Sequence, residues 1–438
     1  MDATGFKVRH DKKAASNGHL SGSVDSQSCL QESPQPLAMF LKLFLFALLA
    51  TSHAATQEAS KKFHRDQQKS DAKEKREGCC SDMEMISIEE LKWGKRMLRS
   101  IHLANEAVKK LPKNAFYSDD TVCYDKVGCF DRLGGKFSHF ASSPKSPEVI
   151  GTEFLLHSQL NKDIPVLLDY ADNATLNVAH FNETKELVFV IHGFGASVKK
   201  KWVINLKEAF LNLNDVNLVL VDWSKGSKAP DYVSAAANAA LVGRQMSLLI
   251  QELIHAHPDT VNATQVYLVG FSLGAQVAGF CGRHFFNATG TKIGRITALD
   301  AAGPLFESYD FQVCKEDAYY VDAIHTTAGS NVLAGLLGIE SPFGHVNFYP
   351  NGGKSQPGCW FFDLFCHHRR SVQYFIESMH ENRHCLFKSN PCDSINSFLN
   401  SKCNSTGPHG EMGYFSDNAE GRGAQFLWTN ENNPFCKA

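Results

Sequence analysis

Ser272 stands in Gly270-Phe-Ser-Leu-Gly274, after the apolar run Val266-Tyr-Leu-Val269 and before the small-residue stretch Ala275-Gln-Val-Ala-Gly279. A strand that turns sharply into a helix lifts the serine at the turn above its sheet, and flanking glycines leave room for the turn. The N-terminus of the following helix favours negative charge developing beside it. The bland reading of G-x-S-x-G is an ordinary turn serine. Between a strand and a helix the pattern points instead to a nucleophile for acyl transfer.

Such a serine needs a base, and the base an orienting acid, in the chain order Ser, Asp or Glu, His. Arg295-Ile-Thr-Ala-Leu-Asp300 is a second apolar strand ending in a carboxylate. The strand after the nucleophile strand is expected beside it, which puts Asp300 at the same sheet edge. Asp317 and Asp322 are rivals that end no strand so clearly. His325, His345, His367, His368, His380, His384 and His409 all follow Asp300. His325 and His345 lie in strand-like runs and read as packed or hydrogen-bonded. His367 and His368 come directly after Cys366 and just before a helix, and a loop held on a rigid scaffold suits a base. Residue type alone leaves these two neighbours open. For the oxyanion, the backbone N–H after the nucleophile is that of Leu273, and Leu187-Val-Phe-Val-Ile-His-Gly-Phe194-Gly offers a second donor at Phe194. One such donor is worth about 3 kcal/mol of barrier. His192 reads as structural.

The elements that would hold these residues alternate. Strand-like runs at Phe154–Leu156, Leu187–Ile191, Leu218–Val221, Val266–Val269 and Ile293–Leu299 are interleaved with helical stretches, the longest from about Tyr232 to His255. Within it Ala240, Gly243 and Ser247 share a face. This alternation predicts an α/β protein with a mainly parallel central sheet and helices on both faces. The 438 residues suffice for one large domain with extra segments, and no internal repeat is visible. The formal net charge of −2 lacks the basic excess of a nucleic-acid binder, so no nucleic-acid partner is expected.

Thirteen cysteines, most in the second half, suit an oxidising compartment. None forms paired C-x-x-C spacing, so no metal site and no cofactor is expected. Asn173, Asn182, Asn262, Asn287 and Asn404 each open a glycosylation sequon. From Met39 the chain reads MFLKLFLFALLATSHAA, with a Lys near its start, an apolar run and small residues at Ala54 and Ala55. Residues 39–55 are thus expected to be a signal peptide, with 1–38 a disordered upstream extension and translation starting at Met39. Residues 56–115 read as a polar linker followed by an amphipathic helix from Ile88 to Lys110, opened by a Ser87/Glu90 capping box. Ile88, Leu91, Leu98, Ile101 and Val108 could share its apolar face. The helix is either packed on the main domain or part of a propeptide. Residues 116–438 are the expected catalytic domain.

Taken together, these residues resemble the pancreatic lipase family over roughly Thr121 to Cys403. The resemblance is carried by Val122-Cys-Tyr124 with Gly128-Cys-Phe130, His192-Gly-Phe194, Val221-Asp-Trp223, Val242-Gly243 and G-F-S-L-G. It continues through Asp300-Ala-Ala-Gly-Pro304, Ile324-His-Thr326, Gly344-His345, Phe348-Tyr-Pro-Asn-Gly-Gly353 and Cys366-His-His-Arg-Arg-Ser371. Ala301 departs from the family's usual Pro, and the acid is retained. The resemblance implies an α/β-hydrolase fold and ester hydrolysis at a lipid surface, and it places the base at His368 rather than His367. Ser272, Asp300 and His368 would then act through an acyl-enzyme, with Phe194 and Leu273 N–H groups around the oxyanion. It also implies disulfides Cys123–Cys129 and Cys392–Cys403; exclusion then leaves Cys281–Cys314 and Cys385–Cys436 as the further expected pairs, with Cys79 and Cys80 unassigned.

Three departures shape the expected substrate. Only 70 residues follow His368, too few for the family's C-terminal β-sandwich, so no such domain and no colipase partner is expected. The family's calcium site is not expected, because Asp317 fits one ligand position while Cys314 replaces another acid. Cys359 and Cys366 match the cysteines that bracket the family's lid, yet only Trp360, Phe361, Phe362, Asp363, Leu364 and Phe365 lie between them. So short a loop resembles secreted phospholipases A1 and insect neutral lipases, and its aromatic residues either insert into lipid or pack locally. The expectation is therefore a secreted, extracellular serine lipase acting on triacylglycerol, phospholipid or both at a membrane or droplet interface. The rival is a catalytically silent lipid-binding or yolk-type homologue.

Overall fold

The computed structural model describes residues 87–110, 121–130, 142–177, 185–307, 311–360, 363–380, 385–403 and 406–437. The expected upstream extension, signal peptide and polar linker lie outside them, as do Cys79, Cys80, Asn182, Asn404, Phe361 and Phe362.

A small antiparallel hairpin pairs β1 (Val122–Tyr124) with β2 (Gly128–Phe130), closed by the Cys123–Cys129 disulfide. The central sheet contains β3 (Glu153–His157), β4 (Val166–Leu168), β5 (Leu187–Ile191), β6 (Asn217–Asp222), β7 (Val266–Phe271) and β8 (Arg295–Leu299). It continues with β9 (Tyr320–Ile324), β10 (Val346–Pro350), β11 (Lys388–Pro391), β12 (Gly410–Glu411) and β13 (Gly423–Leu427). Across the described residues the order is β12-β11-β13-β10-β9-β8-β7-β5-β6-β3-β4. From β13 to β6 every neighbouring pair is parallel, and antiparallel strands finish both edges.

Period-two alternation divides the core between two faces. On β5, Leu187, Phe189 and Ile191 enter one apolar cluster, while Val188 and Val190 enter the other. The first cluster is roofed by α3 (Tyr232–Ala256) and α4 (Leu273–Thr289), the second by α2 (Lys201–Leu213) and α5 (Cys366–Ser378). Helix α3 is apolar and long enough to cross a membrane, but it is a core helix with most of its residues buried. Gly243 lets it approach α4, since a Cβ there would stand 2.6 Å from the Phe280 Cβ. Helices on both faces of a mainly parallel sheet, with a strand–serine–helix turn at its centre, make this an α/β-hydrolase fold.

Helix α1 (Ile88–Lys109) belongs to the same packed body. Its capping box forms as the spacing predicts, with Glu90 N–H donating to Ser87 Oγ (3.2 Å) and Ser87 N–H to Glu90 Oε2 (2.8 Å). Its buried face is Gly94, Met97, Leu98 and Ile101, whereas Ile88 is exposed. The apolar stripe therefore runs through Gly94 and Met97 rather than beginning at Ile88.

Candidate active site

Strand β5 has α2 and β6 after it on one side and β7 on the other, so the strand order switches direction between β5 and β7. In open α/β sheets ligands collect at such a switch, outside the carboxyl ends of the strands. The β5 end carries His192-Gly193-Phe194, and the β7 end carries Ser272.

Ser272 has φ 57° and ψ −121°, a backbone state that costs on the order of 1–3 kcal/mol and is held only by its surroundings. Those surroundings are tight. Ser272 N–H donates to the Leu299 carbonyl (2.9 Å) and its own carbonyl accepts from Ala302 N–H (3.1 Å). A Cβ on Gly270 would lie 2.4 Å from the Gly274 oxygen, and one on Gly274 would lie 2.2 Å from the Ile191 oxygen. The two glycines of the motif are thus required by space, since the turn is pressed against the end of β5. From Phe271 to Phe280 Ser272 alone is not fully buried.

Gly193 packs on the same turn, where a Cβ would stand 2.8 Å from Ser272 Cβ and 3.3 Å from Leu273 N. The loop leading to Phe194 therefore runs beside the first turn of α4. Leu273 is the first residue of α4, so its N–H has no intrahelical partner. Phe194 is itself held by an edge-to-face contact with Tyr232 at 5.1 Å.

Asp300, also at positive φ (45°), ends β8 fully buried. Its Oδ1 accepts from Thr326 N–H (2.7 Å) and Thr327 N–H (3.0 Å), and its Oδ2 from Thr327 Oγ1–H and from His368 Nδ1–H (2.5 Å). Burial pushes the carboxyl pKa up, but the His368 hydrogen bond and charge and the two threonines outweigh it and hold Asp300 below its usual range. His368, on the first turn of α5, is buried against Phe271 with ring centroids 4.6 Å apart. Its Nε2 holds no partner among the described residues. Ser272, His368 and Phe194 line one cleft together with Tyr232, Phe271 and Leu337.

Three of the other candidate histidines are spent elsewhere, and His384 lies outside the described residues. His367 turns away, and its Nδ1 accepts from Gln356 N–H (2.8 Å). His325 donates to the Ile339 carbonyl (2.8 Å) and stacks on Tyr349, while His345 accepts from Val321 N–H (2.9 Å). The rival acids are ion-paired, Asp317 with Arg283 (2.9 Å) and Asp322 with Arg295 (2.9 Å).

The disulfides Cys359–Cys366, Cys385–Cys436 and Cys392–Cys403 are present. Cys281 and Cys314 are not joined, which corrects the pairing expected for them. Cys281 is sealed inside the core from α4. The Cys314 side chain instead caps the short turn Lys315–Asp317, accepting the Asp317 N–H while its own N–H donates to Asp317 Oδ2 (2.9 Å). Burial pushes both thiols well above their usual pKa, so both stay protonated. In the lid loop Trp360 is 60 % exposed and Phe365 lines the cleft. Asn173, Asn262 and Asn287 are exposed.

Two parts of the site were not anticipated from sequence. Thr327 completes the Asp300 shell, and its only signal was its place just after β9, in Ile324-His-Thr-Thr327. Trp93, Met97 and Ile101 of α1 wall the cleft, although their helix precedes every catalytic motif.

The model of the family named Lipase matches residues 120–435. The pancreatic lipase-related protein 2 of Cavia porcellus is 34 % identical over 313 residues, covering 69 % of this chain and 69 % of its own length. The pancreatic triacylglycerol lipase of Myocastor coypus is 32 % identical over 327 residues, covering 69 % of each chain. The inactive pancreatic lipase-related protein 1 of Homo sapiens is 33 % identical over 348 residues, covering 72 % of each.

Proposed function

The chain belongs to the lipase family, and on that premise we propose that it is a secreted serine lipase that hydrolyses carboxylic esters of lipids through an acyl-enzyme. Its substrates are triacylglycerols, phospholipids cleaved at sn-1, or both. The observation that carries this reading is the Asp300–His368 pair, whose unspent Nε2 shares a cleft with Ser272 on its strained turn.

In the proposed reaction His368 Nε2 takes the Ser272 Oγ proton as the oxygen attacks the ester carbonyl. Asp300 fixes the tautomer with Nδ1–H and stabilises the imidazolium. The Phe194 and Leu273 N–H groups hold the tetrahedral oxyanion. His368 then returns the proton to the departing alcohol, leaving Ser272 acylated. Water loses a proton to His368, attacks the acyl carbon and releases the fatty acid, and the proton goes back to Ser272. Secretion is supported by the disulfides, which persist in oxidising compartments, and Asn173, Asn262 and Asn287 are proposed glycan carriers.

The relative named inactive keeps a second reading alive, a lipid-binding homologue without catalysis. One experiment separates the two. Purified protein is given triolein, and phosphatidylcholine labelled at each acyl position. Fatty-acid release that disappears in Ser272→Ala supports the enzyme; release that survives the substitution, or none from any substrate, rejects it. The short Cys359–Cys366 loop favours phospholipid access, so sn-1 release is expected.

A further inference from the structure

Helix α1 lies ahead of the segment that matches the family, yet it forms part of the wall of the cleft. Trp93, Met97 and Ile101 face the space that contains Ser272 and His368. With the helix in place that space is about 190 Å³, below the roughly 300–1,000 Å³ of ordinary small-molecule pockets. A long acyl chain on glycerol does not fit. The helix also meets the short lid loop: Gly94 is packed so closely that a Cβ there would stand 3.2 Å from Leu364 and 3.3 Å from Phe365. The hold is mainly apolar, through Met97, Leu98 and Ile101. To it are added a hydrogen bond from Ser100 Oγ to the Pro230 carbonyl and one from Leu305 N–H to Asn105 Oδ1 (3.2 Å).

The outer face has a different chemistry. Lys92, Lys95, Arg96 and Arg99 are exposed, and no acidic residue occurs from Leu91 to Asn105. Trp93, 39 % exposed, sits at the boundary between the faces. An apolar stripe with a boundary Trp and a polar face of Lys and Arg is the pattern of a helix that lies in a lipid interface.

We propose that α1 is a cover for the cleft whose alternative resting place is an anionic lipid surface. In solution the Met97–Ile101 face closes over Ser272. At a surface bearing phosphate or carboxylate headgroups, the Lys95, Arg96 and Arg99 charges draw the helix down. Its apolar face then exchanges the cleft for acyl chains, and the cleft opens to lipid. The cover thus comes from in front of the family segment and takes over where the Cys359–Cys366 loop is too short. This inference rests on the lipase reading for its activity readout, and its docking step has a readout of its own.

The test times fluorophosphonate labelling of Ser272 in the full secreted chain. Three conditions are compared: buffer, phosphatidylcholine vesicles, and the same vesicles with added phosphatidylglycerol. Flotation with the vesicles is measured in parallel. Labelling should be slow in buffer and at least about tenfold faster on the anionic vesicles. Met97→Glu/Ile101→Glu should label fast in buffer and gain nothing further from vesicles. Lys95→Glu/Arg96→Glu/Arg99→Glu should stay slow in buffer and lose about 100-fold or more in affinity for anionic vesicles, at roughly a factor of five per basic residue. Equal labelling of the parent in all three conditions overturns the cover. So does a folded Met97→Glu/Ile101→Glu protein that labels no faster than the parent. Undiminished flotation of the charge-reversed variant overturns the docking. A chain that no condition labels, yet that floats through Lys95, Arg96 and Arg99, loses the lipase reading and keeps the docking helix.

Discussion

Two histidine–carboxylate pairs stand along the carboxyl edge of the parallel sheet, and only one is suited to chemistry. In the first, His192 and Asp222 are 3.4 Å apart. His192 Nδ1–H donates to the Gly193 carbonyl (3.0 Å), and Nε2 accepts from Trp223 N–H (3.1 Å). Its carbonyl takes the Trp223 indole N–H (2.8 Å), and the two rings stack. Both nitrogens are consumed, so the ring is a strut between the β5 and β6 ends. In the second, His368 Nδ1 meets Asp300 at 2.5 Å and the opposite nitrogen is left for the cleft. Proximity of an imidazole to a carboxylate therefore says little about catalysis. The discriminating feature is a ring held firmly at one nitrogen and unspent at the other.

Substitutions can break this contrast. The largest effect is expected at the shared partner of the second pair: Ser272→Ala should cut kcat by roughly 10⁶-fold. Its melting temperature should hold near that of the parent, since the backbone at φ 57° is fixed by contacts that do not involve the Oγ. Asp300→Asn should cost about 10⁴-fold in kcat/KM by favouring the wrong tautomer of His368. At the first pair the pattern should invert. His192→Gln should lower stability by about 2–3 kcal/mol in urea unfolding, because buried partners are left unpaired. Esterase activity per folded molecule should fall less than about tenfold, the size of a geometric rather than a chemical loss. A 10³-fold loss there would erase the distinction between strut and base. Thr327→Val removes one donor from Asp300 Oδ2 and should cost about tenfold in kcat, equivalent to about 1.4 kcal/mol. It should also raise the pH at which the Asp300 contribution to acid stability is lost, because the lost hydrogen bond was one of those holding the carboxyl low.

The strand ends were legible because apolar runs terminated by a chemical residue are written locally. The span predicted for β5 matches, and Ser272 and Asp300 lie just beyond β7 and β8. Residue type left His367 and His368 equal, and only the resemblance carried by Cys366-His-His-Arg-Arg-Ser371 favoured His368. Their difference arises one residue apart on the first turn of α5, where one side chain meets Gln356 and the next meets Asp300. The thiols of Cys281 and Cys314 were misread for a related reason. Exclusion among cysteines counts sulfurs, but a buried core position and a helix cap are equally good uses for a thiol. The role of α1 was also invisible. Its periodicity marked one apolar face, and only the assembled fold shows that this face meets the cleft.

The smallest effect tests the charge state on which the contrast depends. An Asp in the unfolded chain titrates near 3.9, and Asp300 in the folded chain titrates lower. Burial opposes this, but His368 and the threonine donors prevail. Between the two values the unfolded state binds the extra proton. The contribution of Asp300 is therefore complete above about pH 3.9 and is lost as pH falls through the folded value. Asp300→Asn removes the titrating group, so its stability should fall less steeply than that of the parent over that acid window. Urea unfolding at a series of pH values reads the slope directly. A variant whose acid limb runs parallel to the parent's would mean that Asp300 is not held as an anion. His368 would then lack the counter-charge that its role as base requires.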